Sequence, residues 1–159
     1  MTITSKDDEP MRMAIAAARA ALAKGNKPYG ATLASANGKI MHTAGNNELT
    51  GGDCTAHAEM VLVREAQAAF GISALQGGTV HASGEPCAMC CGALFWAGVA
   101  RIVYGAPNRA MGEQLGGAVL PVTCAELLAH AVPAVQVDGP LLADESLLLL
   151  RAAATRLSK

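Results

Sequence analysis

Hydrophobic and polar positions along the chain repeat with two periods, and the period indicates the element. From Met11 to Lys24 an alanine-rich stretch carries Ile15, Ala18 and Leu22 at helical spacing; Asp8 or Glu9 with Pro10 opens it and Gly25 stops it. Gly30 to Ser35 and Lys39 to Thr43 read as strands joined by Ala36-Asn37-Gly38, whose Asn-Gly pair favours a hairpin. Asn46 to Asp53 is polar and glycine-containing, a loop leading into a helix from Thr55 to Phe70 with Met60, Leu62, Val63 and Ala66 along one stripe. Gly77-Gly78 precedes a strand from Thr79 to Ala82. Ser83-Gly84-Glu85-Pro86 then turns into a helix from Cys87 to Ala97, and Ala100 to Gly105 is the next strand. Residues 106–122, with Gly112, Gly116 and Gly117, show no clear period. Val132 to Val137 predicts a last strand and Leu141 to Leu157 a terminal helix, with Arg156 and Lys159 suited to its negative end. Residues 1–8 are polar and acidic and read as a loose, solvated tail, which leaves 9–159 as a single domain. Strands interleaved with helices place the chain in the α/β class, with a sheet covered on both faces.

Composition narrows the function classes. Lys plus Arg is 12 and Asp plus Glu is 13, so the charge is close to balanced and a strongly basic nucleic-acid surface is disfavoured. Aromatic residues are 3%, too few for a row of base-stacking platforms. Apolar residues are 52% and charged ones 16%, which excludes a disordered chain. No apolar run approaches the ~18–20 residues of a membrane span, and the polar start is unlike a secretory leader; both point to a cytoplasmic protein with no membrane partner. Five cysteines stand at Cys54, Cys87, Cys90, Cys91 and Cys124. An odd number with three clustered, in a reducing compartment, points to metal or catalysis before disulfides.

Two segments carry the chemistry: Thr55-Ala56-His57-Ala58-Glu59 and Glu85-Pro86-Cys87-Ala88-Met89-Cys90. Imidazole and thiolate are Zn²⁺ ligands, and Cys-x-x-Cys at a helix start aims both sulfurs at one ion while the positive helix end favours thiolates. His57, Cys87 and Cys90 make three ligands of a four-coordinate ion, and Zn²⁺ lowers the pKa of water at an open position toward ~7. Glu59, ~200° around a helix from His57, is free to reach over that position as the catalytic carboxylate that shuttles protons. Hydrolytic deamination needs such a shuttle, because ammonia leaves readily only when protonated.

His-x-Glu followed by Pro-Cys-x-x-Cys is the signature of zinc deaminases acting on nucleobases. The sequence resembles that superfamily beyond those residues. Tyr29-Gly30-Ala31, Gly45-Asn46-Asn47, Gly92-Ala93-Leu94 and Arg101-Ile102-Val103-Tyr104-Gly105-Ala106 fall in the same order, over roughly residues 10 to 157. The resemblance implies a cytidine deaminase-like fold, a three-layer α/β/α sandwich with a five-stranded mixed sheet. It implies Zn²⁺ as cofactor and a homodimer. The branch it most resembles holds guanine deaminases and tRNA adenosine deaminases. That branch implies that Asn46 and the Ala58 backbone bind the base and that Trp96 walls the pocket. Gly-Ala-Leu-Phe-Trp-Ala around Trp96 is closer to the guanine enzymes, and Leu142-Ala143-Asp144-Glu145 closer to the tRNA enzymes. Balanced charge and scarce aromatics favour a free nucleobase or nucleoside, such as guanine or a related amino-purine or amino-triazine, over tRNA. Guanine presents N1–H and an amine as donors and so asks for a carboxylate acceptor, for which Glu113, Asp144 and Glu145 are candidates.

Two other readings are weighed against this one. A tRNA adenosine deaminase requires a basic rim around the cleft. A non-catalytic structural zinc module requires a fourth protein ligand, for which Cys54 or Cys91 is available. Cys91 lies ~100° around the helix from Cys90 and is expected to face the core. Asn46 read alone is a turn residue, Trp96 a core or interface residue, and His42 and His81 are hydrogen-bonded strand histidines.

Overall fold

The computed structural model describes residues 3–157. After a one-turn 3₁₀ helix at Ser5–Asp7, the elements run α1 (Asp8–Ala23), β1 (Gly30–Ala34), β2 (Ile40–Gly45), α2 (Glu48–Gly51), α3 (Ala58–Phe70) and β3 (Thr79–Gly84). They continue with α4 (Ala88–Trp96), β4 (Arg101–Ala106), α5 (Asn108–Leu115), α6 (Cys124–Leu128), β5 (Gln136–Asp138) and α7 (Ala143–Leu157). The sheet has five strands in the order β2-β1-β3-β4-β5. β1 is antiparallel to β2 and β3, and β3, β4 and β5 are mutually parallel, so the sheet is mixed.

Alternation along the strands separates two apolar layers. On one face Leu33, Val80 and Ile102 pack against Leu62 and Ala66 of α3 and Leu94 of α4. On the other, Val103 joins Met11, Ala14 and Ile15 of α1, with Leu141 and Leu142 from the approach to α7. Each fully buried leucine contributes roughly 1.5–3 kcal/mol, so these layers dominate the stability of the fold. Gly30 lets α1 press onto β1: a Cβ there would collide with the Ala14 carbonyl. The result is the α/β/α sandwich that the resemblance implied. Among the described residues no helix is long and apolar enough to cross a membrane.

The differences from the sequence expectations have local causes. The segment 1–8 is not a loose tail over its described part. Asp7 is buried, receives the Thr4 backbone N–H at 2.9 Å, and pairs with Arg101 at 2.6 Å and with His81 at 2.9 Å. Met1, Thr2 and Lys159 lie outside the described residues. α3 starts at Ala58 rather than Thr55, because Asp53 accepts both the Thr55 N–H (2.8 Å) and its hydroxyl (2.7 Å) and holds it in a turn. The polar segment after β2 contains the one-turn α2, and 106–122 contains α5, both too short for periodicity to register. α6 opens on a reciprocal cap: Thr123 accepts the Glu126 N–H while Glu126 accepts the Thr123 N–H. The last strand is confined to Gln136–Asp138.

Candidate metal centre and active-site cleft

β3 and β4 run parallel, and the chain leaving the end of β3 enters the metal loop. There the N-termini of α3 and α4 converge, with His57 as N-cap of one helix and Cys87 as N-cap of the other. Both residues have extended backbone, so each side chain leaves just before its helix begins. Cys90, one turn later, is fully buried and points the same way.

The three donor atoms form a nearly equilateral triangle. His57 Nδ1 lies 3.5 Å from Cys87 Sγ and 3.6 Å from Cys90 Sγ, and the two sulfurs are 3.6 Å apart. Zn–S bonds of ~2.3 Å and a Zn–N bond of ~2.0–2.1 Å at tetrahedral angles place such donors about 3.6–3.8 Å apart. The donor set and its spacing therefore fit Zn²⁺. Hydrogen bonds from Cys90 and His57 hold the Cys87 thiol down at about 4, while the shared bond and burial push Cys90 up.

The other cysteines are not part of the triangle. Cys54 is exposed. Cys91 turns inward, as expected: its Sγ lies 3.4 Å from the Pro86 carbonyl and 3.2 Å from Cys124 Sγ. Among the described residues the ligand cluster comprises His57, Cys87 and Cys90. Three protein ligands are the arrangement of a catalytic rather than a closed structural zinc site.

Glu59 projects over this triangle, with Oε2 3.3 Å from Cys90 Sγ. It is buried yet lines the cleft. Burial first, then the neighbouring Cys87 charge, pushes its carboxyl above the usual carboxylate range. A buried carboxyl beside the metal site, more ready than usual to hold a proton, is suited to take one up and pass it on. The cleft above it has a volume of about 710 Å³ and is lined by Tyr29, Glu48, Met111, Leu115 and Val119 among others. Burial and the charges of Glu59 and Glu48 push the Tyr29 phenol up to about 12.

Residues 4–106 match the family described as the cytidine and deoxycytidylate deaminase zinc-binding region. The chain belongs to that family. This deaminase is 31% identical to a probable cytosine deaminase of Schizosaccharomyces pombe over 92% of its own length and 91% of the relative's. It is 40% identical to the tRNA-specific adenosine deaminase of Bacillus subtilis over 64% of its length and 63% of the relative's. Its fold superposes on that of guanine deaminase from Nitrosomonas europaea with TM-score 0.81 at 22% identity, covering 98% of this chain and 87% of the other. It is thus a zinc-dependent hydrolytic deaminase, with a cytidine deaminase-like fold.

The residues expected to hold the base are distributed differently from the metal ligands. Asn46 is buried and is not among the residues that line the cleft; its carboxamide is engaged by Glu48. Nδ2 donates to Glu48 Oε2 at 2.6 Å, and Oδ1 accepts the Glu48 N–H at 3.0 Å. Ala58 is buried in the first turn of α3 between His57 and Glu59, both of which line the cleft. Trp96 does not wall the cleft within this chain. It ends α4, is 84% exposed, and meets Phe95 edge-to-face at 5.1 Å. Glu113 is also misplaced as an acceptor, since it points outward from α5 into an exposed pair with Arg109 at 3.0 Å. Glu145 is likewise spent on Arg12 at 2.7 Å.

The carboxylates that do line the cleft are Glu48, Glu59 and Glu85. Glu48 escaped the sequence reading because α2 brings it inward. Glu85 caps two helices at once: Oε2 accepts the Asn108 N–H (2.8 Å) and Oε1 the Cys124 N–H (2.9 Å). It thereby joins the metal loop to α5 and α6. Its position directly before Pro86-Cys87 was the sequence signal for such a role.

Proposed function

We propose that this deaminase acts on a free nucleobase or nucleoside, guanine or a related amino-purine or amino-triazine, and releases ammonia. The observation that carries the reading is a buried Glu59 standing over a three-ligand metal site at the bottom of an apolar cleft. A Zn²⁺ held by His57, Cys87 and Cys90 would supply Lewis acidity toward a water in the cleft. Glu59 takes one proton from the attacking water as the water oxygen bonds to the amine-bearing carbon and passes that proton to the adjacent ring nitrogen; it then takes the second proton, from the new hydroxyl, and gives it to the amino group, so that the C–N bond breaks and ammonia leaves. The His57 imidazole and the Cys87 and Cys90 sulfurs hold the ion. Glu48, with Asn46 bonded behind it, is the polar wall offered to the ring, and the apolar residues of α5 and the loop after it shed water around it.

The preference for a small substrate rests on the near-balanced charge and the apolar cleft rim. The tRNA-specific relative supports a second reading, an adenosine in a tRNA loop. An ammonia-release screen over guanine, guanosine, cytosine, cytidine, ammeline and a tRNA anticodon stem separates them. Turnover of the stem alone, with a steep salt dependence, would replace the first reading by the second. We further propose a cytoplasmic homodimer. The exposed Trp96 and Phe70, with Leu49, supply apolar surface for a second copy. Sedimentation of wild type and Trp96→Ala tests it, the variant shifting toward monomer.

A further inference from the structure

Glu48 opens α2, a helix of four residues, and its side chain is only 8% exposed. A carboxylate so deep in a cleft that already holds Glu59 and two sulfurs adds like charge, and like charges in one site repel. Its partners account for its retention. Oε2 accepts from Asn46 Nδ2 at 2.6 Å, and Oε1 accepts from Lys27 Nζ at 3.0 Å. The same Oε1 lies 3.7 Å from His57 Nε2. That distance is long for a hydrogen bond and within ion-pair range.

His57 spends Nδ1 on the two sulfurs. A ligating imidazole is neutral and binds through one nitrogen, so its proton sits on the other, here Nε2. Metal-bound histidines usually give that proton to a carboxylate, carbonyl or water, which fixes the tautomer and makes the ligating nitrogen more basic. Glu48 Oε1 is the carboxylate oxygen that faces Nε2, 3.7 Å away. Asn46 holds Glu48 independently of Lys27, through Nδ2 to Oε2 and through the Glu48 N–H to Oδ1, so the carboxylate keeps its place whether or not Lys27 pairs with it.

We propose that Glu48 is a positioning residue of the metal centre: its carboxylate receives the Nε2 proton of His57 and holds the imidazole with Nδ1 turned to Cys87 and Cys90. The assignment depends on the zinc site and not on which base is deaminated. The bland alternative is a loop staple, in which Glu48 ties residues 46–51 to Lys27 and the effect on His57 is incidental.

Zinc affinity, measured by competition with a chromophoric chelator, separates the two without any substrate. Glu48→Ala is expected to weaken zinc about 10–100-fold. Glu48→Gln keeps an acceptor oxygen and is expected to restore affinity to within a few fold of wild type. Lys27→Met removes the staple and leaves the acceptor beside Nε2, and is likewise expected to stay within a few fold. A Glu48→Ala variant that binds zinc as wild type does, or a Lys27→Met variant that loses as much affinity as Glu48→Ala, overturns the proposal. Should Glu48→Ala fail to fold, the Nε2–H resonance of His57 in the zinc-loaded protein decides. It should move upfield and exchange faster in Glu48→Gln, where the acceptor carries no charge; an unmoved resonance sinks the proposal.

Discussion

Two polar clusters flank β3, and each sets a histidine beside a buried carboxylate, yet they do opposite work. On the α1 face, His81 meets Asp7 at 2.9 Å, Asp7 meets Arg101 at 2.6 Å, and Arg101 meets Asp138 at 2.7 Å. Cations and anions alternate, and every carboxylate there has a partner. Past the end of β3, His57 faces two sulfurs and Glu48, while Glu59 has burial and negative neighbours on its side. The first cluster is electrostatically closed and holds the 3₁₀ turn and α1 against the sheet. The second has a surplus of negative donors around one point and opens on a cleft, an arrangement that a divalent cation completes. The surplus, not burial alone, distinguishes a site that binds from a site that braces.

The largest way to break this contrast is Glu59→Gln. Ammonia release should fall by about 10²–10⁴ or more while zinc, measured by elemental analysis, stays at the wild-type content. Retained turnover would remove Glu59 as the proton shuttle. Cys87→Ala should instead lose the metal itself; an unchanged zinc content would refute the ligand set, and treating wild type with a chelator should reproduce the loss of activity.

The bracing cluster should respond in the other currency. Asp7→Asn leaves the Arg101 charge with less compensation and should cost about 3–5 kcal/mol in denaturant unfolding, with turnover per folded molecule within twofold. Its pH dependence follows from the shifts. Burial opposes the Asp7 charge, but Arg101, the Thr4 N–H and His81 outweigh it, so the folded carboxyl titrates well below the ordinary 3.8. Burial pulls His81 below 6.5, only partly offset by Asp7. In both cases the unfolded chain binds protons first. Stability is therefore full above about pH 6.5 and declines as pH falls, first through His81 and then, below about 4, through Asp7. Thermal melts of wild type and Asp7→Asn across pH 3–8 should begin to draw together below about pH 4; curves that stay parallel there would contradict the Asp7 assignment.

Smaller effects sharpen the boundary of the open cluster. Asn46→Ala unpins Glu48 and should lower kcat/KM about 10–100-fold with the fold intact, the cost of one or two buried hydrogen bonds. Glu113→Gln should change neither kcat nor KM beyond twofold, since its partner is the exposed Arg109.

The metal ligands and Glu59 were legible because their chemistry is carried by local spacing. Pro-Cys-x-x-Cys places two sulfurs on one side of a helix start whatever surrounds it, and His-x-Glu places a ligand at an N-cap and a carboxylate in the first turn. The elements of the fold were legible for a similarly local reason, since glycine-containing turns bracket the strands and the stripes of α1 and α3 repeat with a helical period. Glu113 and Trp96 misled because a residue type suited to a task says nothing about where its helix turns it. Asp7 misled because a polar residue near a terminus reads as solvated until its partners, His81 and Arg101, come from 74 and 94 residues away.

By itself the sequence determined which atoms this protein brings to a metal and which carboxyl stands beside them, since short-range geometry within a few residues of a helix start suffices for that. Tertiary structure alone decided that Glu48, not Glu113, faces the cleft, that Asp7 is a buried brace, and that Glu85 ties α5 and α6 to the metal loop. Those facts depend on contacts between elements far apart along the chain. Such contacts form only when the two apolar layers close on the sheet, and no local pattern encodes their partners.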